Sequence, residues 1–262
     1  MKRPVKRPMK REERFDRIIA RLRNSPAVRI SALAESFEVS VETVRRDIDE
    51  LSRRGLVDRT YGGAALRLMA HEPEVNERRN QLIEERLRIG DYASGLVSSG
   101  DVLMIDSGST TTHFARRLAD AATGEITVLT NAPSVAQAAA KNPRLRVILC
   151  PGDYDPHEGG VFGPETTHFL QRFNADKTFI GASGLTCAGP VEANSPVSWI
   201  KRAMIGQARR SLLMVDHTKF NADALERVCP LTDIDDVIAD TAPDEVLSKA
   251  LTVAKVSLHI AG

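Results

Sequence analysis

Apolar residues Phe15, Ile18, Ile19 and Leu22 recur at helical spacing across 11–23, with charged residues on the opposite face. Asn24-Ser25-Pro26 ends that predicted helix. A short helix is predicted over 31–37, with Ser31 as its cap and Leu33, Ala34 and Phe37 turned inward. Glu38-Val39 forms a tight connection, Ser40 caps a third helix over 41–54, and Gly55 stops it. Val44, Ile48 and Leu51 make one apolar stripe on this third helix. A strand over 56–61, a Gly62-Gly63 turn and a return over 64–68 then read as a hairpin. Three helices followed by a hairpin predict a winged helix-turn-helix.

Beyond residue 75 the pattern changes. A helix over 76–97 places Leu82, Ile83, Leu87, Ile89, Ala93 and Leu96 inward. Apolar strands follow at 102–105, 126–129, 145–149, 178–180, 211–215 and 236–239. Helices at 111–121, 133–141, 164–173, 196–209 and 243–252 lie between most of them. This alternation predicts a C-terminal α/β domain with a mostly parallel sheet covered on both faces. Residues 1–68 are therefore expected to form one domain and 76–262 another. The linker is placed at 69–75, where His71, Glu72 and Pro73 break the periodicity.

Charge sharpens this division. Residues 1–67 hold 17 Lys and Arg against 10 Asp and Glu, which leaves 19 against 25 for the rest. The positive field therefore sits on the smaller domain, where a polyanion is the natural partner. With 42% hydrophobic and 27% charged residues, wholesale disorder is not expected. Cys150, Cys187 and Cys229 are far apart in sequence and form no CxxC, so a reduced, cytoplasmic chain with structural thiols is expected. No export signal or membrane span is read from the sequence.

Arg45 and Arg46 lie in the first turns of the third helix, where cations oppose the helix dipole. Their position makes sense if that face enters the major groove of double-stranded DNA. Ser40, Thr43, Arg45 and Arg46 are the candidate contacts on the helix, and Arg59, Thr60, Tyr61 and Gly62 those on the wing. The alternative is a three-helix bundle with a solvated charged face.

In the larger domain, four loops follow predicted strands, the place where open parallel sheets bind ligands. They are Asp106-Ser107-Gly108-Ser109-Thr110-Thr111-Thr112, Thr130-Asn131-Ala132-Pro133, Gly181-Ala182-Ser183-Gly184 and Asp216-His217-Thr218-Lys219. Glycines, hydroxyls and free N–H groups at a helix start form an anion cradle suited to phosphate. Taken singly, each loop is equally a plain helix cap or turn.

The run Val39-Ser40-Val41-Glu42-Thr43-Val44-Arg45-Arg46-Asp47-Ile48, then Leu51, Gly55, Arg59 and Tyr61-Gly62-Gly63-Ala64, resembles the signature of the DeoR family of transcriptional regulators. Further blocks resemble that family's effector domain: Glu84-Glu85-Arg86, Asp106-Ser107-Gly108-Ser109-Thr110-Thr111, Thr130-Asn131, Phe179-Ile180-Gly181, Lys201-Arg202-Ala203-Met204 and Asp216 with Lys219-Phe220. The resemblance implies a fold like the ribose-5-phosphate isomerase group, used to sense a phosphorylated sugar rather than convert it. Asp106, Ser107, Ser109, Thr110, Thr111, Thr130, Asn131, Gly152, Gly181, Ser183, Lys201, Asp216 and Lys219 are then the candidate effector contacts. Pro151-Gly152-Asp153 stands where the family has Gly-Gly, Ser109 replaces a more frequent Thr, and 153–160 is unusually acidic. The pattern therefore does not name the sugar.

The function expected is that of a DNA-binding repressor of a carbohydrate-metabolism operon, controlled by a phosphorylated sugar, without a cofactor, and acting as a homo-oligomer on repeated half-sites. The rival from another class is a phosphosugar isomerase with a tethered DNA-binding module, in which Asp106 or Asp216 would act as base and Lys201 as electrophile. A constitutive architectural DNA binder is a third reading. Asp153, Asp155, His157 and Glu158 are a possible divalent-ion set, weighed against a plain polar surface loop. His113 and His168 are expected as helix histidines, His217 as a possible ligand contact, and Trp199 as packing.

Overall fold

The computed structural model describes residues 10–23, 27–53, 56–60, 62–66 and 72–262, with backbone alone at 23, 27, 53, 58, 60, 65 and 66. Contacts divide the chain into two compact units, 1–68 and 69–262. The readings made for Asn24-Ser25-Pro26, Gly55, Tyr61 and the first part of the linker lie outside the described residues.

The first unit contains α1 (Arg11–Arg23), β1 (Ala27–Arg29), α2 (Ile30–Phe37), α3 (Val41–Arg53), β2 (Val57–Thr60) and β3 (Gly63–Leu66). The apolar stripe of α3 is fully buried, since Val44, Ile48 and Leu51 have no exposed surface. They pack with Phe15, Ile18, Leu22, Leu33 and Phe37 into one core. Two features depart from expectation. Ser31 lies inside α2, whose N-cap is Arg29, with no side-chain cap bond. In addition, β1 pairs with β3, so the wing is the antiparallel sheet β1-β3-β2 rather than a lone hairpin.

The second unit begins with α4 (Val75–Arg79) and α5 (Ile83–Ser94). The single helix expected over 76–97 is thus broken, with Leu82 in the left-handed region at φ 50°. Arg86 is the physical reason: its guanidinium reaches back to accept-ready carbonyls, donating to Gln81 O at 2.9 Å and to Arg78 O, and so satisfies groups a continuing helix would have used. Glu72 and Val75, at the end of the 69–75 segment expected to be the linker, are buried.

Next come β4 (Val102–Ile105), α6 (Ser109–Ala121), β5 (Ile126–Thr130), α7 (Pro133–Ala139) and β6 (Leu145–Leu149). The hairpin β7 (Asp153–Asp155) and β8 (Gly160–Phe162) follows, then α8 (Pro164–Leu170) and β9 (Lys177–Ile180). The chain continues through β10 (Gly184–Thr186), β11 (Gly189–Glu192), α9 (Ser195–Gln207), β12 (Ser211–Val215) and β13 (Glu226–Arg227). It ends with β14 (Asp236–Ala239), α10 (Glu245–Val253) and β15 (Ser257–Ile260). Among the described residues, seven of these strands form a parallel sheet in the order β15-β14-β12-β9-β4-β5-β6. From β4 the chain winds outward through β5 to β6 on one side, then crosses to β9 and onward on the other. The connections after β4 and β9 therefore diverge, which opens a crevice at the carboxyl ends of these two strands. Apolar clusters line the sheet's faces, one around Phe114 and Phe179, another around Val215, Val237 and Leu247.

Candidate functional site

In the first unit, Ser40 closes the start of α3. Its Oγ accepts from the Thr43 backbone N–H at 3.1 Å and shares a 2.8 Å hydrogen bond with the Thr43 hydroxyl. The Arg45 and Arg46 side chains point into solvent, and Arg46 is 77% exposed. Both lean on Glu42, at 3.2 and 3.4 Å, which partly masks their charge in the free protein. Asp47, one position on, is buried and accepts two hydrogen bonds from Arg14, at 2.6 and 3.0 Å. This pair ties α3 to α1, so the helix presents its outer face from a fixed seat. On β2, Arg59 lies 2.9 Å from Asp49 of α3. Gly62 has φ +74°, where glycine is favoured, and its carbonyl accepts from Ile30 N–H at 3.0 Å. The Thr60 side chain and Tyr61 lie outside the described residues.

In the second unit, the crevice at the β4–β9 switch holds a small pocket, partly open to solvent. One wall is the Ser107-to-Thr111 turn entering α6, where Gly108 is the N-cap and no side chain caps the helix. The first-turn amides of such a helix have no intrahelical partner, and the dipole makes them attractive to an anion. Thr111 and Thr112 direct their hydroxyls back to Gly108 O, at 3.1 and 2.6 Å. The opposite wall carries Gly181 after β9, and Asp216 and Lys219 after β12.

Lys201, on α9, is the hub. Its ammonium lies 3.1 Å from Asp106, donates to Gly181 O at 2.9 Å and bonds Glu192. Burial alone would lower its pKa, but Glu192 and Asp106 outweigh that and raise it, so the charge is retained. Burial pushes the Asp106 carboxyl up, with Lys201 opposing. Asp106 Oδ2 accepts from Gly181 N–H at 3.2 Å, while its buried Oδ1 has no partner. Asp216 lies 3.2 Å from Arg86 and accepts from Thr218 N–H at 3.1 Å. Burial works against its ionisation, yet Lys219 and Arg86 hold it below the ordinary carboxylate range.

The structure thus brings Ser107, Ser109, Thr110, Thr111, Gly181, Lys201, Asp216 and Lys219 around one pocket, with Asp106 attached through Lys201. Four candidates are not in that lining. Thr130 Oγ1 accepts from Ala132 N–H at 3.0 Å, and Asn131 donates to Val161 O at 3.1 Å. Asn131 is not the cap of α7; Ala132 is. Gly152, at φ +145°, packs where a Cβ would sit 2.1 Å from Thr166 Oγ1. Ser183 lies behind the pocket lining, its hydroxyl within hydrogen-bond distance of Glu72 at 2.6 Å and Glu192 at 2.8 Å, one proton shared between them.

Sequence reasoning did not place Arg78, Arg86, Glu158 or Glu192 in the pocket, although all four line it. The acidic stretch is the hairpin β7–β8, and Glu158 at its tip lies 3.3 Å from Arg78, with its pKa raised by burial. Among the described residues no group of three or more His, Cys, Asp or Glu is placed to hold a metal ion. His113 is buried, which lowers its pKa, and its Nε2 sits 3.5 Å from Arg79 O. Trp199 is largely exposed rather than packed inside, in a groove with Tyr154 and Phe162. No helix among the described residues is long and apolar enough to cross a membrane.

Comparison with known proteins places both units. Residues 14–67 match the DeoR-like helix-turn-helix domain, and 81–241 match the DeoR C terminal sensor domain. The glycerol-3-phosphate regulon repressor of Escherichia coli (strain K12) is 30% identical over 96% of this chain and 100% of its own. The HTH-type transcriptional repressor CsqR of the same strain is 27% identical, covering 94% of each chain. The transcriptional repressor AccR of Agrobacterium fabrum is 27% identical, covering 90% of this chain and 92% of its own. These relatives are transcriptional repressors, not enzymes. Among solved structures, ribose 5-phosphate isomerase A from Methanocaldococcus jannaschii aligns with a TM-score of 0.40 and 16% identity over 55% of each chain.

Proposed function

Because this chain belongs to the DeoR family of transcriptional regulators, we propose that it represses a carbohydrate-metabolism operon and is released from operator DNA by a phosphorylated sugar or sugar-derived metabolite. In this reading residues 1–68 bind DNA, 69–75 join the units, and 76–262 sense the effector. A bacterial repressor of this kind works in the cytoplasm, where its operator lies.

The observation that carries the sensor half is the uncapped first turn of α6 opening into a pocket with Arg78, Arg86, Lys201 and Lys219. Free amides, hydroxyls and cations receive a phosphoryl group, while Asp216 and Glu158 offer acceptors to sugar hydroxyls. For the DNA half, α3 lies across the major groove, with Ser40 and Thr43 at its entry and Arg45 and Arg46 on base edges and phosphates. Arg59 and the turn at Gly62 follow the backbone beside it. One such module reads few base pairs, so the repressor acts as a homo-oligomer on repeated half-sites. The isomerase alternative is weakened by the same geometry. Asp106 and Asp216, its two candidate bases, are both engaged with buried cations.

Operator binding tests this directly, by fluorescence anisotropy with DNA from upstream of the neighbouring genes and a panel of phosphorylated sugars and glycerol phosphates. One phosphate should weaken specific binding by about tenfold or more, a coupling of about 1.4 kcal/mol. Specific binding that ignores every phosphate in the panel would remove the sensor half. Turnover of a sugar phosphate that is lost in Lys201→Ala would instead establish the isomerase.

A further inference from the structure

The pocket is not a bare cationic cup, because every cation in it already has a carboxylate. Lys201 is paired with Asp106 and Glu192, Arg86 with Asp216, and Arg78 with Glu158. Those carboxylates sit on the strands, on the loops at strand ends, or on the β7–β8 hairpin. One further carboxylate is placed differently. Glu72 lies six positions after Leu66, the last residue of β3, and three before α4. It is 6% exposed, lies 2.6 Å from Lys219 and 3.2 Å from Arg78, and accepts from Ser183 Oγ at 2.6 Å. Lys219 and Arg78, despite the cost of burial, hold it in the ionised form. The segment it begins is fastened a second time at Val75, whose N–H donates to His157 O at 2.9 Å.

Lys219 and Arg78 are two of the four cations that line the pocket, and a phosphoryl dianion entering it would draw on them. Taking them from Glu72 would leave a buried carboxylate without its charge partners, which is strongly unfavourable. The carboxylate must therefore leave its seat, or the phosphate is refused. Resting on the reading of this pocket as the effector site, we propose that Glu72 is a built-in competitor for the effector's phosphate: it occupies Lys219 and Arg78 in the ligand-free protein, and its displacement frees the segment that leads back to the DNA-binding unit. The effector then prefers the state in which 72–74 is unseated, and that preference is the differential affinity any such coupling requires.

The full-length protein is titrated with inorganic phosphate, and hydrogen exchange is followed at residues 72–79. Phosphate should speed exchange there in the unmodified protein, a readout that needs no variant. Glu72→Gln keeps the size and the Ser183 contact but removes the charge. By calorimetry it should bind phosphate about tenfold tighter, while Glu72→Asp stays near the unmodified value. Without phosphate, Glu72→Gln should also hold operator DNA more weakly. Phosphate that binds but leaves 72–79 exchanging at an unchanged or slower rate overturns the competitor and leaves the effector pocket standing. So does a Glu72→Gln protein with unaltered phosphate and operator affinities. If phosphate binds neither protein, the pocket reading and the competitor fall together.

Discussion

Lys201 carries its positive charge in a place almost without water, balanced between Asp106 and Glu192. Removing one member of such a buried set exposes the others to the full penalty of burial. Lys201→Met should therefore destabilise the protein by about 3–5 kcal/mol in urea unfolding. A loss below about 1 kcal/mol would mean the carboxylates are far better solvated than their burial implies. His217 offers a test in pH. Its Nδ1 lies 2.6 Å from Asp240, and that hydrogen bond raises its pKa above the ordinary 6.5. The folded state thus holds the proton more tightly than the unfolded chain. The stabilisation is complete below pH 6.5 and is lost as pH rises through the raised value. An NMR titration of His217 should show a midpoint above 6.5, and Asp240→Asn should return the midpoint toward 6.5. At this scale Asp216 and Lys219 are legible because they stand in a strand-end loop with recognisable chemistry, whereas Lys201, inside α9, is reached only through the family resemblance. Glu72, Arg78 and Glu192 are not legible, since no local pattern distinguishes them from surface charges.

The helix α3 separates two surfaces along one element. Its buried stripe holds the unit together, and among the described residues its exposed arginines pair only with Glu42 of the same helix. Ile48→Ala should cost about 2–5 kcal/mol of stability through the cavity it leaves. Arg46→Ala should leave stability within about 0.5 kcal/mol of the unmodified protein. The same substitution should weaken operator binding by about 1–3 kcal/mol, with effector affinity unchanged. Unfolding curves and anisotropy on the two variants check the separation, and intact operator binding in Arg46→Ala would remove that residue from the interface. Periodic helices such as α1 and α3, and apolar runs such as β4 and β12, are legible in the sequence nearly residue for residue. The strands β1, β7, β8, β10, β11, β13 and β15 are not, because they lack the apolar run that marks β4, β9 and β14 at a similar length. The break between α4 and α5 was missed for a different reason. It depends on Arg86 capturing carbonyls of the preceding turn, a contact that helical periodicity does not register.

For the molecule as a whole, the charge division predicts how DNA binding responds to salt. If six or more phosphates are neutralised, raising salt from about 50 to 200 mM should weaken operator binding by on the order of 10³-fold. Anisotropy titrations across that range check it, and binding indifferent to salt would exclude a phosphate-dominated interface. The two-unit plan, the helix-turn-helix and the parallel-sheet class follow from periodicity and charge, which are local properties and survive in one dimension. The hydroxyl-rich turn into α6 is local as well, because a strand, a glycine and a helix start are adjacent in the chain. Strand order is not local, and it alone decides that the connections after β4 and β9 part to make the pocket. The pocket's charge balance is likewise a tertiary matter. Glu72 meets Lys219 across 147 positions, a pairing that no local pattern in the sequence encodes.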